Sequence, residues 1–251
     1  MKKIYLIILA AITFGAVVFG SAYHMYGLFG NKDKTDEVVD VSYDFDSFKK
    51  IDVDAGLVDM TVTTGDKFSA SFSGLKELLP EFKADNDTLE VYQRKTNSVG
   101  FNIFKPNKRN MHGVDNKLTI TVPEGTALEE ITFQCALGDA DILGVSAKKM
   151  DIECAMGDIG IEDLSVDSID LEADMGDVSL KNVDVRTIDA ELAMGNFEAD
   201  LVKDISEYGL ELDVAMGKCK VGGETVSNKY TKPGSNGTIN VESAMGDVNI
   251  K

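Results

Sequence analysis

Hydrophobic and polar positions alternate in a repeat of 19 residues along the second half of the chain. Counted from Gly138, Gly157 and Gly176, the residues at offsets +2, +4, +7, +9, +12, +14, +16 and +18 are all apolar. Steps of two residues are typical of a strand with one buried face, and steps of three indicate corners where the chain turns. Three strands and three corners in each repeat predict one coil of a parallel β-helix.

A glycine corner begins each repeat, usually with methionine before it and aspartate after it. Two successive residues face outward at this corner, and glycine permits the bend because it has no Cβ atom to clash. A related segment at residues 53–56 ends in Gly56 and predicts a first coil in which Ala55 takes the place of the methionine. The predicted corner glycines are Gly138, Gly157, Gly176, Gly195, Gly217 and Gly246.

The pattern predicts an all-β, single-domain fold over residues 43–251. Residues 131–251 form the repeat coils. Residues 43–130 supply a first coil and a β-rich cap, because three segments between Gly65 and Gly125 alternate without the 19-residue period. Right-handed winding is expected, since parallel crossovers are right-handed as a rule. The last coil needs a cover against edge pairing, and either the loop at residues 222–237 or self-association with another subunit supplies it.

The amino-terminal segment predicts a membrane anchor. Lys2 and Lys3 precede a dense apolar run at residues 4–19, and a looser apolar stretch continues to Phe29. About 20 apolar residues span a bilayer, so residues 1–30 fit a transmembrane helix followed by a polar linker at residues 31–42. The paired lysines stay in the cytoplasm, which places the following domain outside the cell as a single-pass protein. A signal peptide cleaved near Gly20 and Ala22 is the alternative, and it also exports the domain.

Composition narrows the chemistry that this chain is able to perform. Forty-three acidic residues against 25 basic ones give a net charge of −18, which repels nucleic acid and excludes it as a main ligand. The absence of Trp and the presence of only two His leave little for sugar stacking, acid–base catalysis or zinc. We therefore predict a noncatalytic protein without a cofactor.

Acidic side chains repeat with the coil and are candidate ligands for a hard metal ion. Stacked like charges repel each other, and a hard cation such as Ca²⁺ relieves the repulsion through several oxygen ligands. The alternative is a solvated acidic face that keeps a sheet-rich protein soluble. The candidate calcium ligands are Glu153, Glu172 and Glu191, four residues before the corner glycines, and Asp158 and Asp177, directly after them.

Sulfur-containing side chains also recur at fixed places in the coil. Cys135 and Cys154 are 19 residues apart and stack inside the predicted core, either as a disulfide or as buried free thiols. A column of methionines precedes the corner glycines, and we predict that it packs in the core; a soft-metal ladder is the alternative. Its members are Met156, Met175, Met194, Met216 and Met245.

The corner sequences resemble those of the putative-adhesin, or Toastrack, domain family. The resemblance rests on the Met-Gly-Asp-Val and Leu-Gly-Asp-Ala corners and on the strand Lys-Leu-Thr-Ile-Thr-Val-Pro at residues 117–123, which precedes the repeats. Met stands in the corners where the family commonly has Ser. The resemblance covers about residues 43–251. It implies an exported or membrane-anchored β-helix, often encoded beside cell-envelope stress sensors of the Lia and phage-shock type, and it carries over no catalytic residues.

Two functions are compatible with these features. The first is a noncatalytic binding or scaffold module at the bacterial envelope, with an envelope protein or a cell-wall polymer as partner and a role in stress response or adhesion. The second is a glycan-active β-helix enzyme of the polysaccharide lyase or hydrolase type. The enzyme predicts a cleft where acids and aromatic side chains outside the repeat converge, whereas the module predicts a surface that follows the repeat.

Overall fold

The computed structural model describes residues 37–93 and 115–251, which are almost entirely β-structure. They form one curled sheet of 19 strands. Two 3₁₀-helices, at Lys76–Leu78 and Ile205–Glu207, interrupt it, and the described residues contain no α-helix. The strands are β1 Val38–Asp44, β2 Lys50–Leu57, β3 Asp59–Gly65, β4 Ser69–Leu75, β5 Glu81–Asp85, β6 Thr88–Tyr92, β7 Lys117–Pro123, β8 Ala127–Leu137, β9 Ala140–Leu143, β10 Ser146–Met156, β11 Ile159–Met175, β12 Val178–Met194, β13 Phe197–Leu201, β14 Tyr208–Met216, β15 Cys219–Val221, β16 Glu224–Val226, β17 Lys229–Lys232, β18 Gly237–Met245 and β19 Val248–Ile250.

Successive repeats stack in register as parallel coils. Ile152 pairs with Leu171 on the next coil, and Leu171 pairs with Ala190 on the one after, each 19 residues further along. The all-β class predicted from the sequence is confirmed, and the curled, stacked sheet agrees with a β-helical fold. The predicted anchor at residues 1–30 lies outside the described residues. Within those residues, no helix has the length and apolar character needed to cross a membrane.

Aliphatic ladders fill the interior of the coils. Each inward side chain lies above its counterpart on the neighbouring coil, and burial of one Val, Ile or Leu stabilises the fold by about 1.5–3 kcal/mol. The coil that follows Gly157 shows the pattern with seven buried residues, namely Ile159, Ile161, Leu164, Val166, Ile169, Leu171 and Ala173.

Antiparallel strands close the upper end of the stack. β2 and β3 form the first coil, and β6 and β7 continue it upward in parallel. β5 then pairs antiparallel with β6, β4 with β7, and β1 with β4. Because β1 begins at Val38, the stretch predicted as a linker at residues 31–42 already contains strand residues. The further division of the chain into anchor, linker and domain stays a prediction.

The first coil is offset by two residues from the alignment that the sequence indicates. Ala55 pairs with Cys135, and Leu57 pairs with Leu137. Val58, not Gly56, therefore lies beside the corner glycine Gly138, and the assignment of Gly56 to that corner is wrong. The pattern misleads because inward and outward positions alternate with a period of two, so a shift of two residues leaves every hydrophobic position buried.

The last strands in sequence are inserted inside the stack. β18 pairs in parallel with both β12 and β14, and β19 pairs in parallel with both β13 and β15. The coil formed by β14 and β15 is consequently the lowest one. The antiparallel strands β17 and β16, both within residues 222–237, pair with β14 and β15 and cover this coil. The predicted cover by the loop at residues 222–237 is therefore confirmed. Self-association through the last coil stays a prediction.

Candidate functional site: the outward columns of the coil

The corner glycines form a column in which backbone packs directly on backbone. All six have φ between +140° and +151°, a region that other residues rarely adopt. A Cβ atom on Gly176 would lie 1.9 Å from the carbonyl oxygen of Gly157, and a Cβ atom on Gly246 would lie 1.8 Å from that of Gly195. The column therefore needs glycine for its close approach as well as for its backbone angle. Its spatial order is Gly138, Gly157, Gly176, Gly195, Gly246 and Gly217.

The residue after each corner glycine ties one coil to the next. Asp139 Oδ1 accepts a hydrogen bond from the backbone N–H of Asp158 at 2.8 Å, and Asp158 Oδ1 accepts one from Asp177 at 2.7 Å. Asp177 Oδ1 accepts one from Asn196 at 2.8 Å, and Asn196 Oδ1 accepts one from Asp247 at 3.0 Å. We call these five residues the Asp ladder. Its recurrence reflects the need for a side-chain acceptor, which explains why Asn substitutes at one rung.

A second corner lies six residues after each glycine, at one of the predicted three-residue steps, but its left-handed backbone was not predicted from the sequence. Gly144, Asp163 and Asn182 have φ of +68°, +57° and +51°. Glycine, Asp and Asn are the residues that tolerate this left-handed conformation best. Asn182 Nδ2 also donates to Asp163 Oδ1 at 2.8 Å across the two coils. The recurrence of these three residue types at one offset is the sequence signal that could have revealed this conformation.

Two adjacent outward columns make one wall of the coil acidic. Glu153, Glu172 and Glu191 stack directly on one another. Glu242 and Asp213 continue their column, and the column beside it holds Asp151, Asp170 and Asp189. We call these eight residues the acidic face. Burial against the sheet, followed by repulsion from Glu153 and Glu191, raises the pKa of Glu172. Burial and then its neighbours Asp151 and Asp189 raise the pKa of Asp170 in the same way.

Lysines neutralise the ends of the acidic face and leave its middle charged. Lys149 Nζ lies 2.9 Å from Asp151 Oδ2, and Lys229 pairs with Asp213 at the other end. Among the described residues, no ion pair involves Glu172 or Glu191. The centre of this face is therefore an unneutralised anionic surface that attracts cations and cationic partners.

The calcium candidates do not converge on one point. Glu153, Glu172 and Glu191 belong to the acidic face, whereas Asp158 and Asp177 lie at the corner and use Oδ1 to accept backbone hydrogen bonds. Throughout residues 37–93 and 115–251, no three His, Cys, Asp or Glu side chains are grouped so that they could hold a metal ion. The arrangement supports an extended charged wall and gives no support to a closed oxygen cage.

Comparison with known proteins identifies the family. The family model described as Toastrack DUF4097 matches residues 125–251, which hold the repeat coils and the strand before them. The chain belongs to the Toastrack family. The resemblance seen in the corner motifs is thereby confirmed. No curated protein matches the chain.

Solved structures similar to this Toastrack chain are named as adhesion proteins. A putative cell adhesion protein from Clostridium sporogenes is 13% identical with a TM-score of 0.50, over 86% of this chain and 99% of that chain. A putative adhesin from Bacteroides fragilis is 14% identical with a TM-score of 0.44, over 86% and 98%. One from Parabacteroides merdae is 12% identical with a TM-score of 0.38, over 86% and 96%. At such identity the first likeness shows a shared fold and nothing more.

The two predicted core cysteines of the Toastrack coil occupy directly paired positions on β8 and β10. The structure holds them as buried free thiols, and the disulfide stays a prediction. Burial raises the pKa of Cys135 to about 11 and that of Cys154 to about 12. The Cys154 thiol donates to the carbonyl oxygen of Gly138 at 3.4 Å. Both thiols are therefore protonated and unreactive at neutral pH.

The methionine column of the Toastrack coil lies at an exposed edge. Three of its side chains are 43% (Met194), 46% (Met245) and 53% (Met216) exposed, and the other two are half-buried. The prediction that this column packs in the core is wrong for these three. The strict alternation breaks one residue before the glycine, where the turn rotates the methionine to the corner. We call the column, Met156, Met175, Met194, Met245 and Met216 in spatial order, the methionine ladder.

Proposed function

We propose that this Toastrack chain is a noncatalytic binding or scaffold module displayed outside a bacterial cell on an amino-terminal membrane anchor. The observation that carries the proposal is the acidic face, whose carboxylates recur on successive coils and do not gather at one point. Neighbouring strands lie about 4.8 Å apart, so the face offers equivalent charges at a regular spacing. Such a surface suits an extended partner better than a single small substrate.

The charge of this face defines the chemistry of the partner. Glu172 and Glu191 have no lysine partner among the described residues, and burial, followed by repulsion from neighbouring carboxylates, raises the pKa of each. A cationic group placed over the columns relieves that repulsion and gains from the field of the whole face. We infer a partner at the envelope with cationic groups, such as an envelope protein with a basic surface or a cell-wall polymer that carries amines.

The location rests on the amino-terminal sequence. Lys2 and Lys3 followed by the apolar stretch to Phe29 favour an uncleaved anchor that leaves the domain outside the membrane. The name of the similar Clostridium sporogenes structure, which refers to cell adhesion, agrees with a surface role. We include a part in the envelope-stress response in this proposal. We also propose that the coils wind to the right, because parallel crossovers favour that hand.

A paired charge-removal experiment tests the proposal in whole cells. The full chain carries a proximity-labelling enzyme at its carboxyl terminus, and labelled neighbours are compared between the wild type and Glu172→Gln/Glu191→Gln. The control is Glu162→Gln/Glu198→Gln. It removes the same charge from another wall, where each carboxylate pairs at 2.6 Å with a lysine, Lys181 or Lys251.

We expect one set of envelope neighbours in the wild type and in the control, and its loss in the acidic-face variant. Added salt should weaken the same labelling. Equal labelling by both variants would show that the acidic face does not bind the partner. A domain that external protease does not reach in intact cells would refute the extracytoplasmic location.

A further inference from the structure

The methionine ladder concentrates sulfur in one column. The chain contains ten methionines, and five of them occupy this single offset on five successive coils. Leu57 and Leu137 occupy the same column on the first two coils, so leucine fits the position. Packing alone therefore does not explain why methionine replaces leucine on every later coil.

Exposure makes the repetition harder to explain by core packing. Met194, Met245 and Met216 each leave about half of the side chain in water. A side chain that stays this exposed contributes only part of the burial energy that a core residue would. The property that remains useful at an exposed position is the thioether itself, a soft and polarisable sulfur on a flexible side chain.

The order of the coils brings the three exposed thioethers together. Along the sequence Met216 follows Met194, but β18 lies between their strands, so Met245 pairs with both. Neighbouring Cα atoms in such a stack are about 4.8 Å apart. Each methionine has three rotatable bonds, which lets two or three sulfurs from adjacent coils turn toward one point between them.

The surroundings of these thioethers favour a cation that is soft. Asp177 and Asp247 in the neighbouring Asp ladder provide negative potential, but Asp177 Oδ1 is already engaged by the amide of Asn196 and Asp247 Oδ1 by that of Lys218. A hard ion such as Ca²⁺ prefers oxygen ligands, whereas thioethers select Cu(I) and ions of similar softness. We propose that Met194, Met245 and Met216 form a binding site for a soft monovalent metal ion of the Cu(I) and Ag(I) type.

Methyl NMR of the full chain in detergent tests the proposal directly. The methionine methyl groups carry ¹³C, and Ag(I) serves as the air-stable probe, with Cu(I) added under anaerobic conditions for comparison. We expect both ions to shift the methyl signals of Met194, Met245 and Met216. The signals of the buried Met60 and Met150 should stay in place and report an intact core. Ca²⁺ at the same concentration should shift none of the three.

Two leucine variants test whether the three exposed thioethers hold the ion. Met194→Leu/Met245→Leu/Met216→Leu keeps volume and hydrophobicity but removes the three sulfurs, and it should weaken Ag(I) binding by at least about tenfold. The matched variant Met60→Leu/Met150→Leu should bind as the wild type does. Unmoved signals from the three exposed methionines at saturating Ag(I) would overturn the proposal. So would equal affinity in the triple variant, which would place the binding on other groups of the chain.

Discussion

Replacing Gly176 with alanine tests the packing of the corner column most directly. Gly176 has φ of +150°, and an added Cβ atom would lie 1.9 Å from the carbonyl oxygen of Gly157 and 2.6 Å from its carbonyl carbon. Both contacts are with backbone atoms, so no rotation of a side chain relieves them. The coils must separate at this corner for alanine to fit.

The expected loss of stability has two parts. A non-glycine residue in this backbone region costs about 1–3 kcal/mol in strain. Separation of the coils weakens the hydrogen bonds between them, from Gly157 N to Met175 O at 3.0 Å and from Ile159 N to Asp177 O at 2.9 Å, each worth about 1 kcal/mol. The sum is about 3–5 kcal/mol, a large share of the roughly 5–15 kcal/mol that holds a typical domain folded.

Urea unfolding measures the loss, and Gly223→Ala is the matched control. Gly223 also has a positive φ, +84°, but a Cβ atom there meets nothing within 4 Å. The control therefore carries the backbone strain without the clash and should lose about 1–2 kcal/mol. The difference between the two variants isolates the close approach of the coils. If Gly176→Ala is no less stable than Gly223→Ala, the column does not need glycine for packing.

Four further predictions follow from single contacts. Asp177→Ala removes the acceptor of the Asn196 amide and should lower the free energy of unfolding by about 1 kcal/mol, whereas Asp177→Asn keeps an acceptor and should lose clearly less; equal losses would contradict the structural role of the Asp ladder. Burial, then neighbouring carboxylates, raises the pKa of Glu172, so the group stabilises the fold fully below the ordinary Glu pKa and loses that contribution as pH rises through the raised value. Glu172→Gln should therefore raise the melting temperature at about pH 7 and change it little at about pH 4. An unchanged dependence of the melting temperature on pH would argue against the repulsion. Burial raises the pKa of Cys154 to about 12, so its thiol should resist iodoacetamide at about pH 8 until urea unfolds the chain, and rapid labelling of the native protein would refute this. The buried Ser243 hydroxyl has no hydrogen-bond partner among the described residues, so Ser243→Ala should be neutral or stabilising by up to about 1 kcal/mol in urea unfolding, and a clear loss would reveal a partner.

The coils were predictable from the sequence because their constraints are local and repeated. An inward position every two residues, broken by glycine corners, leaves one arrangement that buries all the aliphatic side chains from Ile159 to Ala173. The acidic columns follow from the same alternation, because the residues between inward positions must face outward. Chain length and composition add little to this result.

The register of the first coil and the order of the last coils were not predictable in the same way. Gly56 and Val58 both fit the corner, because a shift of two residues keeps the alternation. Met216 and Met245 belong to nearly identical corner motifs, so the hydrophobic pattern does not state which of them lies next to Met194. The exposure of the methionine ladder was not predicted for a further reason. Hydrophobicity indicates whether a side chain favours burial, but it does not indicate how far a tight turn rotates that side chain toward the surface.

The position of β18 sets the order in which this molecule can be completed. β14 is synthesised before β18, yet its parallel partner in the stack is β18 and not β12. In a chain that emerges from its amino terminus, β12 and β14 therefore lack their native neighbour until about residue 245 is available. The insertion of β18 between β12 and β14 is a late step that joins distant segments. Such steps are slow and leave apolar surface exposed until they are complete. The lower coils of the stack are consequently the part of the molecule that most needs protection from aggregation during folding.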